Sequence, residues 1–240
     1  MGKATDKELI VNGRRLDGRE PYHMREIKMS VDEISSANGS AKVSFGKTTA
    51  YASVHGPRSL FPKFLQESDT GILRCRYNMA PFSVDDRKSP GPDRRSVEIS
   101  KVIRRAFEPV LFLEDYPKST VDSFIEIVEA DGSTRVTGIN ALSMALASAG
   151  IPMKDLVAAC SVGKISDTLI VDLNGVEDNN SESDVGVAMM PQKDIVTLLQ
   201  MDGILTKEEL VMLLNLARES CKKIYQIQKQ TLMEKYRGAE

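Results

Sequence analysis

Tryptophan is absent from the 240 residues, aromatic residues make up only 5%, and there are three cysteines and two histidines. Cys75, Cys160 and Cys221 are odd in number and widely spaced, with no C-x-x-C pair, so neither a disulfide framework nor a structural zinc site is expected. Each lies in an apolar pattern and reads as a buried free thiol. His23 and His55 match no metal motif and no Ser/His/Asp arrangement, which leaves them hydrogen-bonded structural roles. No apolar run approaches the roughly 20 residues that a membrane-spanning helix needs, and no secretory core comes after Met1. A cytoplasmic protein without a membrane contact is therefore expected. Net charge is only -2, so a nucleic-acid site would have to be a local concentration of Arg and Lys.

What remains is an ordinary globular composition, 41% hydrophobic and 28% charged, and periodicity that alternates between strand and helix. Residues 1–15 read as a polar N-terminal tail and charged loop. Met24 to Ile34 reads as a strand. Ala41 to Phe45 and Thr49 to His55 flank the turn Gly46-Lys47-Thr48 as a hairpin. Gly56 to Gly71 reads as a long exposed loop carrying Arg58, Phe61, Lys63 and Phe64, and Ile72 to Ala80 as another strand. Asp93 is a predicted N-cap for a helix through Phe107 and Val110. After Ser123 to Val128 as strand and a helix from Val136 come strands at Leu156–Val162 and Thr168–Leu173. Next are an acidic loop from Glu177 to Asp184 and strands at Val185–Met190 and Ile195–Met201. Thr206 and Glu209 form a capping box for a final helix over 206–240. With no linker to divide it, the chain reads as one α/β domain of α+β type, a mixed sheet with helices packed on it. Both halves run several strands and then a helix, which hints at a duplicated βα unit.

Three stretches carry candidate chemistry. Gly132-Ser133-Thr134-Arg135 lies where a strand feeds a helix, so unpaired backbone N–H groups, the helix dipole, two hydroxyls and a guanidinium can meet an anion. A capped helix with a solvent-facing arginine would equally satisfy this stretch alone. Arg94-Arg95 opens another helix, where cations oppose the dipole, so a polyanion explains them better than stability does. Asp178 and Asp184 lie in the loop before the strand at Val185, which can bring them to one end of the sheet, where paired carboxylates can hold a divalent ion, act as general acid, or both; an acidic solvated loop is the bland alternative.

Taken together, Arg95-Ser96-Val97-Glu98-Ile99, Asp131-Gly132-Ser133-Thr134-Arg135, and Asp172-Leu173 with Glu177-Asp178 and Asp184 beyond them resemble the RNase PH family over nearly the whole chain. Val54-His55-Gly56-Pro57 and Tyr77-Asn78-Met79-Ala80-Pro81-Phe82 resemble, more narrowly, the catalytic phosphorolytic subunit of the archaeal exosome. The resemblance implies an RNase PH-like fold and a 3′→5′ exoribonuclease that uses inorganic phosphate as co-substrate and releases nucleoside diphosphates, with reverse tailing of RNA also expected. It places phosphate on Gly132, Ser133, Thr134 and Arg135, the RNA 3′ end on Arg94 and Arg95, and the catalytic acidic pair on Asp178 and Asp184. Asp178 is expected as the general acid and Asp184 as the orienter of Mg²⁺, roles that can be exchanged or shared. Lys63-Phe64, at the tip of the long loop, is placed to contact passing RNA. The implied partners are RNA, a homologous non-catalytic RNase PH-like subunit in a hexameric ring of three heterodimers, and RNA-binding cap proteins. The alternatives are a non-catalytic RNA-binding ring subunit, against which the acidic pair argues, and a stand-alone tRNA-trimming RNase PH. The chain departs from the resemblance in two respects: Val185-Gly186 succeeds Asp184 where polynucleotide phosphorylase has a basic residue, and Lys63-Phe64 stands where the archaeal subunits tend to have a basic and aromatic or His pair, which leaves base stacking but no role for a His.

Overall fold

The computed structural model describes residues 9–237. Most of the expected tail, residues 1–8, lies outside them, but residues 9–15 are built into the fold. Leu9 is buried with Ile165, Ile170 and Leu173, and β1 (Ile10–Val11) pairs with β2 (Arg14–Arg15) in a small hairpin. Arg15, read as part of a charged loop, is buried.

The first half of the chain forms β3 (Ile27–Val31), β4 (Gly39–Phe45), β5 (Thr48–Ser59), β6 (Ile72–Met79), α1 (Arg94–Phe107) and β7 (Ser119–Glu129). Its five strands order as β3-β4-β5-β7-β6. All neighbours are antiparallel except β6 and β7, which makes this the expected mixed sheet. The β4–β5 hairpin is as predicted, with Phe45 opposite Thr48. β3 is shorter than the alternation suggests, and β5 runs on to Ser59, so the long loop starts later and holds a short 3₁₀ turn at Lys63–Leu65. Asp93 caps α1 through a reciprocal capping box with Ser96.

After α2 (Thr134–Ser148) come β8 (Ala158–Ile165), β9 (Thr168–Val171), α3 (Gly175–Asn180), β10 (Ser183–Met190), β11 (Ile195–Gly203) and α4 (Lys207–Arg237). The second sheet orders as β11-β10-β8-β9 and is antiparallel. One expectation fails here. Glu177–Asp184 is not one acidic loop: Asn174 and Glu177 form a capping box that starts α3, and Asp184 lies within β10. A short helix of polar residues looks like a solvated loop to any periodicity argument, because it has too few turns to show an apolar stripe.

The helix α2 explains how the sheets meet. Thirteen of its 15 residues are buried, since it is clamped between β4, β5 and β7 on one side and β8 and β10 on the other. A helix buried all round needs small and apolar residues on every face, as Ile139, Ala141, Leu142, Met144, Ala145 and Leu146 provide. Close approach is fixed by Gly39: a Cβ there would stand 2.2 Å from the Ala149 nitrogen. The core is continuous through both sheets, and α4 covers the outer face of the second, burying Leu213, Ala217, Cys221 and Ile224. All three cysteines are free. This packing fixes α2 at both flanks and leaves its N-terminus at the seam where β10, α3 and α1 converge.

Candidate active site

At that seam a cleft of about 950 Å³ opens, lined by Arg95, Glu98, Arg135, Asp178, Asp184, Gln200 and Asp202 among others. A recess of about 30 Å³ adjoins it, bounded by Arg95, Ser133, Thr134, Arg135, Ser161, Asp178, Asp184 and Gly186. Arg135, Asp178, Asp184 and Arg95, four residues singled out from three separate stretches, thus share one hollow. Arg135 projects from the first turn of α2 across β10, where a Cβ on Gly186 would lie 3.6 Å from its Nη1. Asp178 comes from α3, Asp184 from the start of β10, and Arg95 from the first turn of α1. Arg94 is exposed and does not line the cleft. Lys63 and Phe64 lie elsewhere, on an exposed turn.

The phosphate-loop backbone is shaped for an anion. Gly132 has φ of 72° and Ser133 has φ of 55°, a left-handed turn that delivers the chain into α2 with no side chain capping its first N–H groups. Gly132 is required twice over: a Cβ there would also meet the Asn174 carbonyl carbon at 2.5 Å,. The structure departs from expectation at Ser133. Its hydroxyl donates to the Leu173 carbonyl (2.6 Å) and pairs with Ser161 Oγ (2.6 Å), so its proton is committed to the β9–α3 turn rather than turned toward an anion. Backbone N–H groups and Arg135 are what this loop presents.

The electrostatics of the hollow are unusual in one respect. Among the described residues, none of the Arg95, Arg135, Asp178 and Asp184 side chains makes a hydrogen bond or a salt bridge, and Arg135 Nε is shut from water without a partner. Burial raises the Asp178 carboxyl above its ordinary range, opposed by the charges of Arg95, Arg135 and Arg25. Asp184 is pushed up to about 6, first by burial, then by the negative charge of Asp178, with Asp202, its cross-strand partner, adding to the effect. Two half-desolvated carboxylates that resist ionisation, beside two unpaired guanidinium groups, form a site poised for an anionic ligand and for proton transfer.

Behind the cleft stands a second set of charges that local reading missed. Arg25 donates to both oxygens of Asp172 (2.7 and 2.9 Å) and to the Asp131 carbonyl (2.6 Å). Arg15 grips Glu177 with Nε (2.6 Å) and Nη2, and donates to the Val171 and Asp172 carbonyls. Thr48 Oγ1 accepts from the Asp131 N–H (2.9 Å) and donates to the Gly132 carbonyl (2.8 Å). Asp131 Oδ1 in turn accepts from the Gly175 N–H that opens α3 (2.9 Å). This clamp ties the phosphate loop to the helix that carries Asp178.

With the geometry in place, comparison with known proteins is decisive. The description "3′ exoribonuclease family, domain 1" matches residues 23–152 and "domain 2" of the same family matches residues 155–220. The chain belongs to the 3′ exoribonuclease (RNase PH) family. Its relatives include the exosome complex component Rrp41 of Thermococcus onnurineus, 57% identical over 98% of this chain and 95% of that protein. That of Pyrococcus furiosus is 59% identical over 94% of this chain and 90% of its own, and that of Cenarchaeum symbiosum is 46% identical over 99% and 98%. The crystal structure of rice Rrp46 superimposes with a TM-score of 0.81 at 23% identity, covering 91% of this chain and all of the other; it supports the RNase PH-like fold. Among the described residues no helix is long and apolar enough to cross a membrane.

Proposed function

We propose that this chain is the catalytic subunit of an archaeal-type exosome, degrading RNA from its 3′ end by phosphorolysis. The observation that carries the reading is the unpaired set of Arg95, Arg135, Asp178 and Asp184 at the N-terminus of α2. Phosphate is held by the backbone N–H groups of the 132–135 turn and by Arg135, while Arg95, with Arg94 at the rim, receives the 3′-terminal phosphodiester. The cations offset the repulsion between the two phosphate groups, and fixing both reactants removes much of the entropic barrier. A phosphate oxygen attacks the terminal phosphorus, the bond from phosphorus to the 3′ oxygen of the penultimate nucleotide breaks, and a nucleoside diphosphate departs. Asp178, whose carboxyl is raised above its ordinary range by burial, delivers a proton to that leaving oxygen; Asp184 can share or exchange the role. Because a phosphodiester is exchanged for a phosphoanhydride, the same residues run the reverse tailing reaction.

The donor set also suits Mg²⁺. Asp178 and Asp184 are hard oxygen donors without protein partners, and no third ligand converges on them among the described residues. That pattern fits an ion that keeps waters and substrate phosphate oxygens around it. When bound by these two aspartates, Mg²⁺ would supply additional charge neutralisation at the phosphates.

Relatives named as exosome components support assembly with a homologous, non-catalytic RNase PH-like subunit. The proposed form is a hexameric ring of three heterodimers under RNA-binding cap proteins, working in the cytoplasm. Lys63 and Phe64, the latter 84% exposed, are placed to meet incoming RNA at such an entrance. The test is phosphate dependence: the assembled complex should shorten RNA only when phosphate is supplied. Shortening in phosphate-free buffer with release of monophosphates would overturn the reading.

A further inference from the structure

A cationic hollow lies between the edge strand β6 and α1. It has a volume of about 350 Å³ and is lined by Arg74, Cys75, Ser100, Lys101 and Arg104. Three cations around one cavity repel each other unless an anion joins them, and their local partners are few. Arg104 Nε is closed off from water and lacks a hydrogen bond, although Glu108 stands 3.4 Å away. Arg74 donates to the Phe61 carbonyl at 3.2 Å, which ties this hollow to the turn bearing Phe61, Lys63 and Phe64. Further along the same strand and helix lies a smaller hollow whose lining includes Tyr77, Asn78, Lys88, Asp93, Ser96 and Arg95, the last also a wall of the cleft. The helix α1 runs antiparallel to β6, because Ser100 receives the Tyr77 N–H while Arg104 lies beside Arg74. Strand and helix therefore run side by side from the exposed aromatic turn, at Arg74, toward Arg95 of the cleft.

We propose that the Arg74–Lys101–Arg104 hollow is a backbone-phosphate subsite for RNA upstream of the scissile bond, a proposal that rests on the exoribonuclease reading of the cleft. From Arg74 to Met79 the strand advances about 17 Å at the ~3.3 Å rise of a β-strand. That distance corresponds to roughly three to five nucleotides, depending on how far the strand is stretched from the ~3.4 Å stacked spacing. Exposed guanidinium groups without a base-reading partner bind phosphate irrespective of sequence, as a processive nuclease requires. The Phe61 and Phe64 rings, 79% and 84% exposed, sit at the outer end, where bases can stack. An acidic patch on a protein partner is the competing occupant; continuity with the cleft favours RNA.

The test uses the assembled complex with Arg74→Ala/Lys101→Ala and, separately, Lys101→Glu, an exposed helix position that keeps the fold. RNA of eight nucleotides should show a KM raised about tenfold in the double variant, with the salt dependence of binding reduced by about 1.4, or 0.7 for each lost phosphate contact. A trinucleotide should change less than twofold. An RNA carrying one photoreactive 4-thiouridine four nucleotides from its 3′ end should crosslink to peptides containing residues 72–79 or 101–104. Equal loss on both lengths, or an unchanged KM on both, overturns the subsite. So does dissociation of the complex on light scattering, which would make this face a protein interface. If a 3′-terminal label crosslinks to cleft peptides and the upstream label to neither segment, the subsite fails while the cleft assignment stands. If no label crosslinks anywhere and no diphosphate forms, the underlying reading has failed instead.

Discussion

Two sets of arginines and carboxylates adjoin at α3, which carries Glu177 of one and Asp178 of the other, and they are wired in opposite ways. Behind the cleft, Arg15 with Glu177 and Arg25 with Asp172 are buried and fully engaged, each guanidinium also serving backbone carbonyls. In the cleft, Arg95, Arg135, Asp178 and Asp184 make no hydrogen bond or salt bridge among the described residues. Charges that are paired inside a protein hold its parts in register; half-buried charges left unpaired, as Arg135, Asp178 and Asp184 are, cost stability and are retained for a ligand,. The residue types are the same, and the wiring distinguishes scaffold from site.

The largest break in this contrast comes from the cleft. Asp178→Asn keeps size and deletes charge and transferable proton, so turnover should fall by about 10²–10⁴-fold, the usual worth of general acid catalysis. RNA binding should change little and the melting temperature should hold or rise, because no protein partner is lost and a desolvated charge is removed. Measuring kcat, binding and thermal unfolding on one preparation checks all three. The rear set should behave in reverse: Arg25→Ala leaves the buried Asp172 with only the longer 3.3 Å ion pair to Arg19, at a cost of about 3–5 kcal/mol. Denaturant unfolding reads that loss, and a stability like the parent's would show that the clamp is not structural.

A smaller effect carries the opposite sign. The Asp184 carboxyl in the folded chain titrates near 6, above its unfolded value of 3.8, so the native state binds the proton more tightly than the unfolded one. The stability it contributes is complete at low pH and is lost as pH rises through the folded value. Asp184→Asn should therefore stabilise the protein by about 1–3 kcal/mol at pH 7, with the gain vanishing near pH 4, while activity drops. Unfolding curves at the two pH values test this; equal gains at both would reject the burial argument. The smallest expected effect is at the exposed turn. Lys63→Ala with Phe64→Ala should raise KM for long RNA about fivefold, near the lower end of what one lost base–aromatic stack costs, and leave stability unchanged.

Legibility in the sequence depends on how far apart the partners lie along it. The Asp131–Arg135 turn, the Asp93 cap and the Thr206–Glu209 capping box are local, and each reads from a few adjacent residues. The meeting of Arg95, Arg135, Asp178 and Asp184 is suggested only by resemblance, since no spacing rule joins stretches so far apart. The rear clamp leaves no local trace: Arg25 and Asp172 are 147 residues apart and Arg15 and Glu177 are 162 apart. Before folding, Glu177 is one acid in an acidic run and Arg15 one cation in a basic one, which is why both read as parts of solvated loops. One available signal is missed by that reading. Asn174 with Glu177 is a capping-box pattern, and it marks the start of α3 as surely as Thr206 with Glu209 marks α4,. Ser133 fails for a different reason: its residue type fits an anion donor, but the Leu173 carbonyl competes for its proton.

The most direct measurement tracks the fate of the phosphate. Unlabelled RNA should be incubated with the assembled complex and radiolabelled inorganic phosphate, and the nucleotide products separated. Phosphorolysis in the cleft predicts one label per nucleotide removed, carried in the β position of a nucleoside diphosphate, with none transferred by Asp178→Asn. RNA that shortens while the label stays entirely in inorganic phosphate would contradict the account.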